Sequence, residues 1–534
     1  MSTPITHEST SVALAEAEVP PKASTWKRQM IGILVGLGLA SLVFLTFPAD
    51  SVDQVNAAGQ AAAEAQGEEF VEFTHLGLRV VAAAAVLLGV WWMTEAIPLA
   101  ATALLPLVIF PAFQVASFKD VAAPYASDTI YLFMGGFMLA LTMQKWNLHR
   151  RIALGVVLMV GTRPRQLVLG FMVATGFLSM WVSNTATAVV MLPIGMSVLN
   201  LVSGLLGGIG KIKKFATALM LGIAYSASIG SVATIIGTPP NALMVAYLDE
   251  THGIKIGFGQ WMLVGTPLAA IFMAFAWWLL VYVLFVPEVD QIPGGRELIV
   301  GQWRELGRMG RAEISVSVVF VLAAVSWVFV PLVLDYTGST LTISDSLIAM
   351  AAAVLLFLLP AGTERGVRLL DWKTANELPW DVLLLFGGGL SLSQMFTKLG
   401  LSVWIGEQAK GLGTLPTIVI VAAVTALIIF LTEITSNTAT AAAFLPIMGG
   451  VAMGIGLTDD NPMNMLLLIF PVALAATFAF MLPVATPPNA VAYSSGYIRM
   501  ADMVRTGIWL NLVGVVIITA VVLLVAVPVF GLSL

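Results

Sequence analysis

Three short motifs occur twice in this chain, in the same order and about 250 residues apart. A duplication of this kind constrains the architecture before any other feature does. The first set is Phe133-Met134-Gly135-Gly136, then Ser183-Asn184-Thr185-Ala186-Thr187, then Gly237-Thr238-Pro239-Pro240-Asn241-Ala242. The second is Phe386-Gly387-Gly388-Gly389, then Ser436-Asn437-Thr438-Ala439-Thr440, then Ala485-Thr486-Pro487-Pro488-Asn489-Ala490. Apolar runs ending in Pro193 and Pro446 follow the two Ser-Asn-Thr copies.

The surroundings of the motifs say where they work. The chain of 534 residues is 59% hydrophobic and 10% charged, against about 25% charge in a soluble domain. Apolar runs such as 30–47, 314–334 and 508–527 have the length of about 20 residues at which a helix crosses a bilayer. The fold class is therefore an all-α polytopic membrane protein. The absence of cysteine excludes disulfides and thiolate metal sites. His7, His75, His149 and His252 fall in expected loops or at helix ends, which argues against a histidine metal site within the membrane.

In chain order, residues 1–26 are expected to be a disordered cytoplasmic tail and 30–48 an extra N-terminal helix. An acidic segment of unknown role, 49–74, comes next. Further spans are expected at 75–93, 96–112, 127–146, 215–248, 260–286, 312–334, 343–360, 380–397, 464–497 and 507–530, making eleven. Two apolar regions remain, 164–202 and 414–456, each interrupted by its Ser-Asn-Thr motif, and both read as re-entrant hairpins. This arrangement puts twenty of the 25 Lys and Arg residues on the cytoplasmic side; only Arg79, Lys119, Lys255, Lys398 and Lys410 lie outside. Such a bias is the positive-inside pattern, and counting either hairpin as a full span destroys it. The N-terminus is then cytoplasmic, the C-terminus extracytoplasmic, and 287–311 a cytoplasmic linker. Repeats 75–286 and 312–530 each hold five spans and one hairpin. Five is odd, so the second is inverted relative to the first. Inverted repeats with broken helices characterise secondary transporters, which bind at the repeat interface near the midplane.

The motif chemistry fits that reading. Pro239-Pro240 and Pro487-Pro488 must break their helices, since proline lacks an N–H and clashes with the preceding turn. Irregular backbone at membrane depth is tolerated only where it is packed in protein or lines a watery cavity. Freed carbonyls and the oxygens of Ser, Thr and Asn suit a bare sodium ion, while helix N-termini with Asn amides and Thr hydroxyls suit an anion. A lone Ser-Asn-Thr or Pro-Pro-Asn means nothing, because small hydroxyl residues are common at helix interfaces in membranes; the information lies in their duplication in register. Glu433 is an intramembrane carboxylate, either a coupling group or a cap on free backbone. Glu95, in Trp91-Trp92-Met93-Thr94-Glu95-Ala96-Ile97-Pro98, reads as structural, and the Trp91-Trp92 and Trp277-Trp278 pairs as interface-belt or packing residues. An intramembrane hydrolase lacks its nucleophile and base here: there is no membrane His, no Cys and no Gly-x-Ser-x-Gly elbow. No enzyme activity is expected.

At these residues the sequence resembles the divalent-anion/sodium symporter family, which includes the INDY-type carriers. The resemblance rests on both Ser-Asn-Thr motifs, both Thr-Pro-Pro-Asn segments and the Thr94–Pro98 stretch leading into Leu104-Leu105-Pro106, and runs from about residue 75 onward. It implies a homodimer with a fixed scaffold (30–146 and 312–397) and a mobile transport domain (164–286 and 414–530) working as an elevator. By resemblance, one sodium site would use Ser179, Ser183, Asn184 and the Gly237 carbonyl, and the other Thr432, Thr435, Asn437 and the Ala485 carbonyl. The substrate would meet Asn184, Thr185, Asn437 and Thr438, with Thr238, Thr486, Pro240 and Pro488 nearby. The expected activity is sodium-driven uptake of C4-dicarboxylates (succinate, malate, fumarate) across the plasma (inner) membrane, with two coupling sodium ions and no organic cofactor. Dicarboxylate exchange, or sodium-coupled citrate or sulfate carriage, is the alternative.

Overall fold

A computed structural model describes residues 23–66, 70–161, 163–206, 208–292, 294–339 and 341–533. Nearly all of the expected tail, 1–26, lies outside the described residues. Apart from one isolated bridge between Pro360 and Arg368, the regular structure of the described residues is helical. Among the described residues, seven helices are long and apolar enough to cross a membrane, eight if the bent pair Trp380–Lys398 and Leu401–Thr414 counts as one.

Four of the eleven expected spans depart from a single long helix, each for a local reason. The 96–112 region forms Leu99–Thr102 and Pro106–Ala112, because Pro98 and Pro106 restart the chain. The 343–360 region forms the 14-residue helix Asp345–Leu358, opened by Ser344, whose hydroxyl accepts the Leu347 N–H. The 215–248 region is Lys213–Ser231, then an unwound stretch, then Pro239–His252. The 464–497 region is Leu466–Ala476, an unwound stretch, then Pro487–Ser494. In the last two the proline pair sits at the first two positions of the new helix, where a missing N–H has no partner to lose.

Both interrupted regions are helix–break–helix units: Pro164–Ser179 with Asn184–Leu206, and Thr417–Thr432 with Asn437–Gly454. Asn184–Leu206 is itself of spanning length at 23 residues, so length alone does not make the first unit re-entrant.

Burial separates an inner bundle from a lipid-facing rim. Every residue from Phe215 to Ser231 is buried, and so is every residue of Leu466–Ala476. A helix apolar on all sides belongs inside protein or lipid, and these two are enclosed by protein, as is Pro239–His252 from Pro240 to Leu248. By contrast, Ala23–Thr46 and Arg311–Thr337 present Leu34, Leu42, Leu322, Phe329 and Leu332 outward.

Besides the N-terminal helix Ala23–Thr46, two segments outside the duplication are helical. The acidic stretch 49–74 contains Ser51–Gln66, and the linker 287–311 contains Gly295–Glu305. The segments 147–160 and 399–411, which join 127–146 to the first interrupted region and 380–397 to the second, contain the short helices Leu148–Val160 and Leu401–Ala409. Glu95 ends His75–Thr94 in a left-handed conformation and is exposed. Trp92 is fully buried with its indole N–H on the Leu99 carbonyl, so packing, not an interfacial belt, accounts for it.

Candidate functional site

Each helix–break–helix unit gathers three oxygens at its turn. Ser179 ends the first helix of its unit, and its hydroxyl lies 3.0 Å from Asn184 Oδ1 and 2.6 Å from the Ala227 carbonyl. Thr432 ends the corresponding helix, and its hydroxyl lies 2.8 Å from Asn437 Oδ1 and 2.9 Å from the Ala476 carbonyl. Ser179 and Thr432 are fully buried. A hydroxyl carries one hydrogen, so each cluster of three oxygens holds one hydrogen between two acceptors. Clusters rich in neutral oxygen are the surroundings that hard cations select. Ala227 and Ala476 were not among the expected ligands. Their signal was the near-constant offset of the duplication, and it needed the neighbouring inner helices to be placed.

The Thr-Pro-Pro-Asn segments hold the breaks open in parallel fashion. Asn241 donates its side-chain N–H to the Thr234 carbonyl at 2.9 Å, and Asn489 donates to the carbonyls of Ala479 and Leu482 at 3.0 and 3.1 Å. Both asparagines are fully buried, and the Oδ1 of each has no partner among the described residues. Thr486 accepts the Asn489 N–H at 3.3 Å; Thr238 and Thr486 are buried, as are Pro240 and Pro488. At Gly237 a Cβ would stand 2.2 Å from the Ser231 carbonyl, so the first break closes too tightly for any side chain. The second has Ala485 there, 8% exposed.

The two sets are interleaved. The helix after the first Ser-Asn-Thr packs on Pro487–Ser494, and the helix after the second packs on Pro239–His252. Tyr225 of the first repeat donates its hydroxyl to the Phe480 carbonyl of the second. The glycine motifs press the flanking helices close: Gly136 faces Ile236, and Gly389 faces Ala442 and Leu243. At the tips, Asn184, Ser183, Ser436 and Asn437 are half-buried, Thr185 is exposed, and Thr435 and Thr438 are buried. Ser183 accepts the Ala186 N–H, and Thr435 shares a hydrogen bond with Thr440 at 2.6 Å.

Glu433 breaks the symmetry, since Met180 stands at the matching position. Its carboxylate accepts the N–H groups of Phe480, Met481 and Leu482 at 2.7 to 3.2 Å, and the Asn511 amide at 2.7 Å. Every partner is a donor, which is the environment of an ionised carboxylate. Of the two readings left open by sequence, this geometry is the brace on free backbone.

The sequence profile of the sodium:sulfate symporter transmembrane region matches residues 75–532. The sodium-dependent dicarboxylate transporter SdcS of Staphylococcus saprophyticus is 42% identical over 450 residues, covering 84% of this chain and 86% of that protein. SdcS of Staphylococcus aureus strain USA300 is 42% identical over 451 residues, with the same coverage. Among solved structures, the YdaH transporter of Alcanivorax borkumensis superposes with a TM-score of 0.53 at 14% identity, over 84% of this chain and 99% of that one; it speaks for the fold alone. An integral membrane protein with two interleaved copies of one oxygen-rich break, matched from residue 75 almost to its end, is a transporter and not an enzyme, and the chain belongs to the sodium:sulfate symporter family.

Proposed function

We propose that this protein couples inward sodium movement to uptake of C4-dicarboxylates such as succinate, malate and fumarate. The observation that carries the reading is the duplicated oxygen cluster, Ser179/Asn184/Ala227 and Thr432/Asn437/Ala476. Each cluster takes one sodium ion, completed from Ser183 and Gly237 in the first repeat and from Thr435 and Ala485 in the second. The substrate carboxylates meet Asn184, Thr185, Asn437 and Thr438 between the two tips, with Thr238 and Thr486 behind. No Arg or Lys lies in these motifs. A dianion therefore needs the co-bound cations and the helix N-termini for its neutralisation, which is a physical reason for coupling. The relatives named for dicarboxylate transport support the substrate class. The family's sulfate name favours sulfate as the second reading.

The test is uptake of labelled succinate into proteoliposomes, with and without a sodium gradient and with and without internal dicarboxylate. Sodium-driven accumulation into empty vesicles is expected. Uptake that needs internal dicarboxylate and ignores sodium would make the protein an exchanger. Uptake abolished by excess sulfate or citrate, with succinate a poor competitor, would reassign the substrate.

Transport proceeds by moving 164–286 and 414–530 as one body past 30–146 and 312–397. The interleaving of the two site halves supports this, because displacing one half alone would take the site apart. The N-terminus is cytoplasmic, the hairpins open to opposite sides, and the working unit is a homodimer. Gly389 and Ala442 belong to opposite bodies, and a Cβ at Gly389 would stand 3.2 Å from that of Ala442, close to disulfide geometry. Oxidation of the double variant Gly389→Cys/Ala442→Cys should stop uptake and preserve succinate binding; full uptake by a fully oxidised sample would rule the elevator out.

A further inference from the structure

Between Ser179 and Asn184, whose side-chain oxygens help form the first cluster, the chain turns through only four residues, and the second of them is Trp181. Its ring does not stay within its own unit. It lies nearly parallel to Phe258, the first residue of Phe258–Trp278, with centroids 6.0 Å and planes 19° apart. It is also nearly parallel to Trp327 on Arg311–Thr337, at 6.5 Å and 10°. Phe320, two turns before Trp327 on the same helix, meets it edge-on at 5.1 Å. Phe258 belongs to the moving body, and Phe320 and Trp327 belong to the scaffold. We infer that Trp181 is the residue through which docking of the bundle on the scaffold sets the sodium affinity of the first cluster, a reading that rests on the cation sites and the moving body proposed above.

The scaffold side of the stack is complete without the tryptophan. Trp327 is fully buried and donates its indole N–H to the Asp345 carbonyl at 2.9 Å, which fixes the plane of its ring. The Asp345 carboxylate reaches across the boundary between the two bodies and accepts the Phe258 N–H at 2.8 Å. That N–H is one of those a helix leaves free at its start, and a carboxylate there also meets the positive end of the helix dipole. Phe258 and Trp327 then stack with centroids 4.7 Å apart. The result is an aromatic seat with fixed walls, and Trp181 occupies it.

On the bundle side the ring is tied to the cluster through a short, bonded turn. The N–H groups of Trp181 and Val182 both donate to the Leu178 carbonyl, at 3.0 and 2.9 Å. Thr234, ahead of the first Thr-Pro-Pro-Asn segment, donates its hydroxyl to the Met180 carbonyl. The indole N–H of Trp181 is buried with no partner among the described residues, so stacking and not a hydrogen bond orients the ring. Aromatic pairs hold preferred geometries, and the seat therefore selects one conformation of the turn. It is the conformation that brings the Ser179 hydroxyl, Asn184 Oδ1 and the Ala227 carbonyl together. Two events that favour the same turn favour each other: docking tightens the cluster, and sodium in the cluster strengthens docking.

The second repeat has no counterpart to this device. Ile434 stands at the position matching Trp181, by the offset that relates Asn184 to Asn437, and it is 68% exposed. Its side chain gives the second turn no such brace. When the bundle moves, the contact of Trp181 with Phe320 and Trp327 parts, and the first cluster alone loosens its hold on the ion.

The experiment measures sodium binding to the purified full-length protein, as the midpoint of the rise in Tm with sodium chloride at constant ionic strength, alongside half-saturating sodium for succinate uptake. Phe320→Ala is the decisive variant, because Phe320 lies on the scaffold and supplies no group to a proposed site. Phe320→Ala and Trp181→Ala should each raise both values about fivefold or more. Phe320→Leu, which keeps an apolar side chain without the ring, should act in the same direction and serves where the alanine variant does not fold. The double variant Trp181→Ala/Phe320→Ala should raise the values no further than the larger single effect, as residues acting through one contact do. Trp181→Phe, which keeps a ring in the seat, and Ile434→Ala should stay within about twofold of wild type. Unmoved values in the Phe320 variants, additive effects in the double variant, or a comparable rise in Ile434→Ala each overturn the inference. So does a Trp181→Ala curve that runs parallel to wild type at lower Tm, since that is the mark of lost packing alone. The underlying readings fail on other results: an unshifted midpoint in Ser179→Ala removes the cation cluster, and full uptake with Gly389 joined to Ala442 removes the moving body.

Discussion

Thr432→Val tests the oxygen clusters most directly. Valine reproduces the shape of threonine and removes only the hydroxyl, which lies 2.8 Å from Asn437 Oδ1 and 2.9 Å from the Ala476 carbonyl in a fully buried position. If the hydroxyl is no more than a hydrogen-bond donor, the variant loses about 1–3 kcal/mol of stability, the usual cost of leaving a buried acceptor unmet, and the loss is the same at every sodium concentration. If the cluster holds sodium, the variant also loses one neutral ligand of a small set. A contribution of about 1.4 kcal/mol from that ligand weakens the site about tenfold.

The two cases separate in the thermal stability of the purified protein titrated with sodium. An ion bound only to the folded state stabilises it by RT ln(1 + [L]/Kd), about 2.7 kcal/mol at a hundredfold excess over Kd. A site weakened tenfold retains about 1.4 kcal/mol at the same concentration. That site's share of the sodium-dependent rise in Tm should therefore roughly halve, with the midpoint moving to higher sodium. Half-saturating sodium for succinate uptake should move with it. Ser179→Ala should behave alike, because Ser179 makes the same two contacts in the other repeat. A variant curve parallel to wild type and merely offset downward would refute the reasoning and leave the clusters as structural hydrogen bonds.

Three further outcomes are expected. Glu433→Gln turns an amide toward three backbone N–H groups and the Asn511 amide; it should cost at least about 2 kcal/mol of stability with the sodium and pH dependence of the remaining uptake unchanged. A shifted dependence at full stability would make Glu433 a coupling group after all. Cysteines introduced at the exposed positions Asn200 and Asp459 should label from the cytoplasm and from outside respectively, and labelling from one side only would defeat the inverted-hairpin topology. The hydrogen bond from Lys145 holds the Asp371 carboxyl down at about 2, below its unfolded value near 4. Its contribution is thus constant above pH about 4 and fades as pH falls toward 2. The pair is half-exposed, so the contribution is well under about 1 kcal/mol. Asp371→Asn should therefore leave the uptake profile between pH 5 and 8 unchanged, and a shift within that range would contradict this.

The legible parts of the protein are those where one residue type has one physical outcome. A proline pair in an apolar run ends a helix and starts another, and both breaks stand at Pro239 and Pro487. The motif repeats made Ser179 and Thr432 equivalent, and the structure gives them equivalent contacts. Parts that depend on which helix lies beside which were not legible. Ala227 and Ala476 contribute through carbonyl oxygens that every residue carries, so nothing in their side chains marks them. The same holds for the amides of Phe480, Met481 and Leu482 that receive Glu433. The helix Ser51–Gln66 was hidden differently: with Ala, Gln and acidic residues around a single fully buried valine, it has neither the apolar length of a span nor the stripe of an amphipathic core helix. Its partner surface on Leu401–Ala409 lies some 350 residues away in sequence. Local chemistry thus fixes where the chain breaks, while long-range packing decides what each break faces. In a duplicated protein the departures from symmetry are therefore the more informative positions. Glu433 against Met180, Ala485 against Gly237 and Thr432 against Ser179 are among the positions where two copies of one design have been made unequal, and a measured difference in sodium affinity between the two clusters should trace to them.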